Sequence, residues 1–134
     1  SDSATTITRC SGILGVVGKE GNTQEFFLQG LTVLQQCGYD GIGIASIDNQ
    51  GGLVITKHAN VDDDKPTNSG TATKPVVMLI QEHFTSHPSL RPTGMAHTHW
   101  ATHGAKMQES NVHPHLDASR KIALIHNGSL LNAR

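Results

Sequence analysis

Two short β-branched runs, Gly41-Ile42-Gly43-Ile44-Ala45-Ser46-Ile47 and Leu53-Val54-Ile55-Thr56, flank the turn-forming Asp48-Asn49-Gln50-Gly51-Gly52. Strands joined by so short a connection run antiparallel, because a parallel return needs a crossover of a dozen or more residues. The pattern predicts a hairpin, so the fold must contain an antiparallel sheet. The glycines of the first strand permit close approach of another backbone.

Other segments add elements around this hairpin. Ile13-Leu14-Gly15-Val16-Val17, closed by Gly18, reads as a buried strand with Cys10 just before it. Asn22 and Glu25 form a capping box, and Phe27, Leu31 and Leu34 follow on one face of a helix that Gly38 should stop. A second helix is expected over Pro75 to Phe84, with Val76, Val77, Ile80 and Phe84 as its apolar stripe and Pro75 at an early helical position. Residues 58–71, with three consecutive aspartates, read as a solvated loop, and His87-Pro88 and Arg91-Pro92 punctuate another. Met95-Ala96-His97-Thr98 and Ile122-Ala123-Leu124-Ile125-His126 are candidate strands that deliver polar residues from their ends.

Composition excludes several classes. The chain has 134 residues, enough for one domain with a hydrophobic core. Ten Lys or Arg against eleven Asp or Glu give a net charge of −1, which argues against nucleic acid or an anionic membrane as the main partner. No stretch approaches the roughly 20 apolar residues that span a bilayer, and no basic region precedes an apolar run at the start, so a soluble, cytoplasmic protein is expected. Cys10 and Cys37 are the only cysteines, too few for a disulfide scaffold; two reduced thiols fit better, with a single bridge formally open.

The residues that carry chemistry are spread along the chain. A cysteine followed closely by glycine, as in Cys10-Ser11-Gly12, can stand as an exposed nucleophile. His97-Thr98-His99-Trp100-Ala101-Thr102-His103-Gly104 and His126-Asn127-Gly128 offer side chains and backbone N–H groups for a polarised carbonyl. Together they suggest acyl transfer at an amide. Each block also has a plainer reading: Cys10 as a packed thiol, Asn127-Gly128 as a turn, Trp100 as a core aromatic. Nine histidines invite a zinc-binding reading, with His97 and His99 on one strand face beside His103, His113 and His115. They lack the helical His-Glu-x-x-His geometry, a cysteine pair or an acidic shell, so no metal and no cofactor is assigned, and a zinc-binding module stands as an alternative.

Five blocks, Cys10 to Gly15, Gly38 to Ala45, His97 to Gly104, Asn111 to His115 and His126 to Gly128, resemble in sequence and order the glutaminase domain of the glutamine:fructose-6-phosphate aminotransferase family. That domain belongs to the class II glutamine amidotransferases, within the amino-terminal-nucleophile hydrolases. The resemblance runs from Cys10 to Asn132. It implies an α+β fold, the four-layer α/β/β/α sandwich of amino-terminal-nucleophile hydrolases, present in part, with residues 1–9 a leader or propeptide and 10–134 a partial glutaminase domain. By the same resemblance, Cys10 is the nucleophile and its own α-amine the general base. The Asn127 amide and Gly128 N–H form the oxyanion hole, and His99, Trp100, Thr102 and His103 line the glutamine pocket. The implied reaction is glutamine hydrolysis through a cysteine thioester, supplying ammonia for fructose 6-phosphate on a separate domain. The implied partners are glutamine, a sugar isomerase domain or complementary chain, and further copies of the chain in a homo-oligomer.

Departures from the family pattern point another way. Nine residues precede Cys10, whose nitrogen is then an amide that cannot act as a base. His99 stands where the family carries the arginine that grips the glutamine carboxylate, and Cys37 where it carries another arginine. The family's aspartate for the glutamine α-amine does not appear before Arg134. An inactive ligand-binding or assembly module of the same fold is therefore the competing expectation.

Overall fold

The structure is a computed structural model that describes residues 11–37, 40–59, 75–99, 108–128 and 131–132. In chain order its elements are β1 (Gly12–Val17), α1 (Thr23–Leu34) running into a 3₁₀ turn (Gln35–Cys37), β2 (Gly41–Asp48), β3 (Leu53–Ala59), α2 (Val76–Ser86), β4 (Leu90–His99), a 3₁₀ turn (Glu109–Asn111), β5 (His115–Leu116) and β6 (Ala123–Leu124). The first four strands form an antiparallel sheet in the order β1-β4-β2-β3, and β5 and β6 form a separate antiparallel pair. This mixed architecture is α+β, as expected.

The β2–β3 hairpin forms where the sequence places it. Asp48 closes its turn: the carboxylate accepts N–H bonds from Gln50 (2.9 Å) and Gly52 (2.7 Å), while the Asp48 N–H donates to the Gly52 carbonyl (2.9 Å). Helix α1 starts as expected, with the Asn22 side chain accepting from the Glu25 N–H at 3.1 Å. Its expected stop, Gly38, lies outside the described residues.

Both helices cover one face of the sheet. Phe27 and Leu31 of α1 are fully buried with Val76, Leu79 and Ile80 of α2, against Ile42, Ile44 and Ala96 from the two central strands. His83 of α2 reaches the same layer. Its Nε2 lies 2.8 Å from Ser46 Oγ and its Nδ1 2.7 Å from Thr56 Oγ1, so both ring nitrogens of a buried imidazole are satisfied. Burial, with a smaller push from His87, holds this ring down at about 4.

Several sequence expectations need correction. β1 is an edge strand rather than a buried one. Only its α1-facing side is packed, and Ile13 and Val17 on the other side are 48% and 90% exposed. The stripe of α2 uses Leu79 and His83, whereas Val77 is 42% exposed, because the helix turns Val77 away from the sheet. Pro75 sits one residue before the helix, as its N-cap. His58 and Ala59, expected in a loop, extend β3; residues 60–71 of that loop lie outside the described residues.

β4 is ten residues long and absorbs the expected Arg91-Pro92 loop. Pro92 is tolerated because β1 pairing ends at Val17↔Thr93 and the β2 register shifts between Ser46 and Asp48, so neither neighbour needs a proline N–H. The strand expected over Ile122 to His126 is reduced to Ala123–Leu124. The Asp117 carboxylate gathers the N–H groups of Ser119, Lys121 and Ile122, which spends Ile122 on the turn.

Residues 108–128 lie against the sheet face opposite the helices. Gly43 points that way, and a methyl group there would overlap the His113 carbonyl oxygen, so the missing side chain is what lets this segment seat. Val112 and Pro114 on either side of His113 are buried.

Candidate functional site

β1 begins and β4 ends at the same corner of the sheet, with Gly12 opposite Thr98. The Gly12 N–H donates to Thr98 Oγ1 at 3.1 Å, which ties the start of β1 to the end of β4. Asn127 enters this corner from the other side. Its Nδ2 donates to the Ser11 carbonyl at 3.2 Å across 116 positions of sequence. The corner thus joins the residue after Cys10, the His97-Thr98-His99 run and the His126-Asn127-Gly128 turn. Gly128 has φ +147°, a conformation that favours glycine, so the turn needs this residue to leave the Asn127 region as it does.

Of the residues expected at the site, Asn127, Gly128 and His99 are described, while Cys10, Trp100, Thr102 and His103 lie outside the described residues. The Asn127 amide carries two N–H bonds. One of them donates to the Ser11 carbonyl.

Beneath the corner, four imidazoles pack together. His97 and His99 project from the same face of β4, with ring centroids 5.5 Å apart. His113 lies 4.9 Å from His97 and 5.8 Å from His99, and His115 lies 4.4 Å from His113. His97 is 0% exposed, and neither ring nitrogen has a hydrogen-bond partner among the described residues. Burial and the rings of His113, His99 and His115 push it down to about 4. His99 is lowered by burial; Asp40 opposes and His115 adds to that shift. A neutral His99 offers a carboxylate one N–H and no charge, less than the fixed fork of an arginine. Among the described residues, no three His, Cys, Asp or Glu are arranged to hold a metal ion, so the zinc-binding alternative gains no support there.

Two participants went unassigned in the sequence. The Ser11 carbonyl anchors Asn127, and His113 Nδ1 accepts the His126 N–H at 3.0 Å. The Asn111 to His115 block carried the signal for His113, although not its role. An apolar cleft of about 360 Å³ between Gly15, Ala45, Ile47, Met95 and Ala123 holds no titratable side chain and lies away from this corner.

No protein-family profile matches the chain. Curated relatives do: glutamine–fructose-6-phosphate aminotransferases from Fusobacterium nucleatum (33% identity over 121 residues), Pseudomonas aeruginosa (35% over 121) and Thermosynechococcus vestitus (36% over 123). The matches cover 90%, 90% and 92% of this chain. By sequence, the chain is similar to these glutamine–fructose-6-phosphate aminotransferases over about nine-tenths of its own length. It spans 17% of the length of these relatives.

Proposed function

We propose that the chain is the amino-terminal part of a class II glutaminase domain, built on a partial four-layer α/β/β/α sandwich, that hydrolyses the glutamine side-chain amide. The observation that carries this reading is the 3.2 Å bond from Asn127 to Ser11, which brings an amide donor beside the residue bonded to Cys10. Removal of residues 1–9 frees the Cys10 α-amine, whose reference pKa near 8 suits a base at neutral pH. The amine takes the thiol proton as Cys10 Sγ attacks the amide carbon. Asn127 Nδ2 and the Gly128 N–H receive the oxyanion, a contribution of about 3 kcal/mol per donor in comparable sites. The proton passes to the leaving nitrogen, ammonia departs, and water cleaves the γ-glutamyl thioester to glutamate and free thiol. His99, Trp100, Thr102 and His103 bind the glutamine, and a separate sugar isomerase domain uses the ammonia on fructose 6-phosphate; a complementary chain, or further copies in a homo-oligomer, are the other partners this reading carries.

The test compares the chain beginning at Ser1 with the chain beginning at Cys10. The latter should release glutamate faster, and Cys10→Ala should abolish release while leaving the fold intact. Equal rates for both starts would reject the α-amine mechanism. One observation favours a second reading, an inactive binding or assembly module: burial lowers His99, leaving the carboxylate position without a permanent cation.

A further inference from the structure

The His126 N–H bond to His113 Nδ1 assigns a proton. An acceptor nitrogen carries no hydrogen, so neutral His113 holds its proton on Nε2. The bonded N–H belongs to the residue directly before Asn127. The backbone of His113 is itself fixed on the sheet, since its carbonyl fills the space over Gly43 and Val112 and Pro114 are buried beside it. A continuous path therefore runs from the sheet through His113 to His126 and on to the Asn127–Ser11 contact.

We propose that His113 is a positioning residue whose unprotonated Nδ1 holds the His126–Gly128 loop at the Ser11 corner, and that charging of the histidine cluster in acid releases this loop while the sheet stays folded. Protonation at Nδ1 turns the acceptor into a donor aimed at another N–H, so the bond is lost. It also places a cation among groups of the same sign. His97 and His99 face His113 from β4, His115 from β5, His126 from the loop itself and Lys57 from β3. Asp40 acts on His99, and Glu109 and Arg120 act on Lys57 with opposite signs; the groups that act on His113 itself are all cationic when charged. Burial and these neighbours hold His113 down at about 4, so at neutral pH the acceptor is present. The consequence for catalysis rests on the glutaminase reading, whereas the geometry does not.

Hydrogen exchange of the whole chain, followed by NMR at pH 7.5 and 5.0, tests the proposal. Protection of the His126 amide, corrected for intrinsic rates, should fall tenfold or more at pH 5.0, because the released loop binds protons that the docked loop refuses. Amides of β2 and β4 should stay better protected than His126 at both pH values, losing only what the acid fall in global stability takes. His113→Asn places an uncharged acceptor near the Nδ1 position and should keep His126 protection within about threefold between the two pH values. His113→Leu should lose it at both. Equal protection in His113→Leu and the parent, an acid loss in His113→Asn as large as the parent's, or His126 protection equal to that of the β2 and β4 amides at pH 5.0, the mark of exchange only through global unfolding, would each overturn the proposal. The readout is a backbone amide without glutamine, so its failure and that of the glutaminase reading are distinguishable.

Discussion

Gly43 and His113 meet backbone to side-chain void: the face of β2 left bare at Gly43 is occupied by the His113 carbonyl. Gly43 pairs with His97 on β4, so the contact lies within the histidine cluster. The segment that carries Asn127 is therefore seated by the absence of a side chain on a central strand.

Gly43→Ala should push His113 off the sheet, at the roughly 1–3 kcal/mol typical of overpacking, and should expose the His126 amide. Gly15→Ala is the control. Among the described residues nothing lies within 4 Å of a methyl group there, so that variant should be neutral or more stable by up to about 1 kcal/mol. Urea unfolding of the two variants checks the difference.

Stability should fall in acid with a defined window. His83, His97 and His113 stand at about 4 in the folded chain against the usual 6.5. Between these values the unfolded chain binds protons that the folded chain excludes. Their contribution is therefore fully present above pH 6.5 and is lost as pH falls through 4. Asp117, lowered to about 2 mainly by its bond from Ser119, extends the loss below the usual 3.8. A Tm series should be flat above pH 7 and decline steadily from pH 6.5 downward; a Tm constant to pH 4 would contradict these assignments.

Replacing His83 by leucine should cost about 1–3 kcal/mol, because Ser46, 1% exposed, loses its partner with no access to water. Thr56 is half-buried and can bond water instead. Combining His83→Leu with Ser46→Ala should recover part of the loss, which a double-mutant cycle by chemical denaturation would show.

The hairpin and the α1 cap were legible because Asp48, Gly51 and Asn22 act through neighbours a few positions away. Longer-range facts decided the rest. Pro92 reads as a breaker until the register shift in β2 removes the demand on its missing N–H. Val77 and Leu79 are interchangeable in hydropathy, and only the docking of α2 selects Leu79. At the candidate site, the Asn-Gly pair was legible as a turn, and the oxyanion role that family likeness implies for it belongs to the proposed function. Its partner, the Ser11 carbonyl, has no side-chain signature in a sequence. The histidines were conspicuous as zinc candidates, yet their packing around His113 follows from β4 and the 112–115 segment meeting over Gly43.

His99→Arg should tighten glutamine binding, because a guanidinium restores a charged fork where burial leaves a neutral ring. Calorimetric titration of both chains with glutamine reads the effect directly. Unchanged or weaker binding by the arginine variant would count against His99 as a carboxylate contact.

Glutamate release by the chain beginning at Cys10, compared with the same chain carrying Asn127→Ala, addresses the glutaminase reading most directly. Loss of the amide donor beside Ser11 should lower kcat by about 10²–10³ with the sheet amides unchanged. No release from the chain beginning at Cys10, or equal kcat in the two proteins, would contradict it.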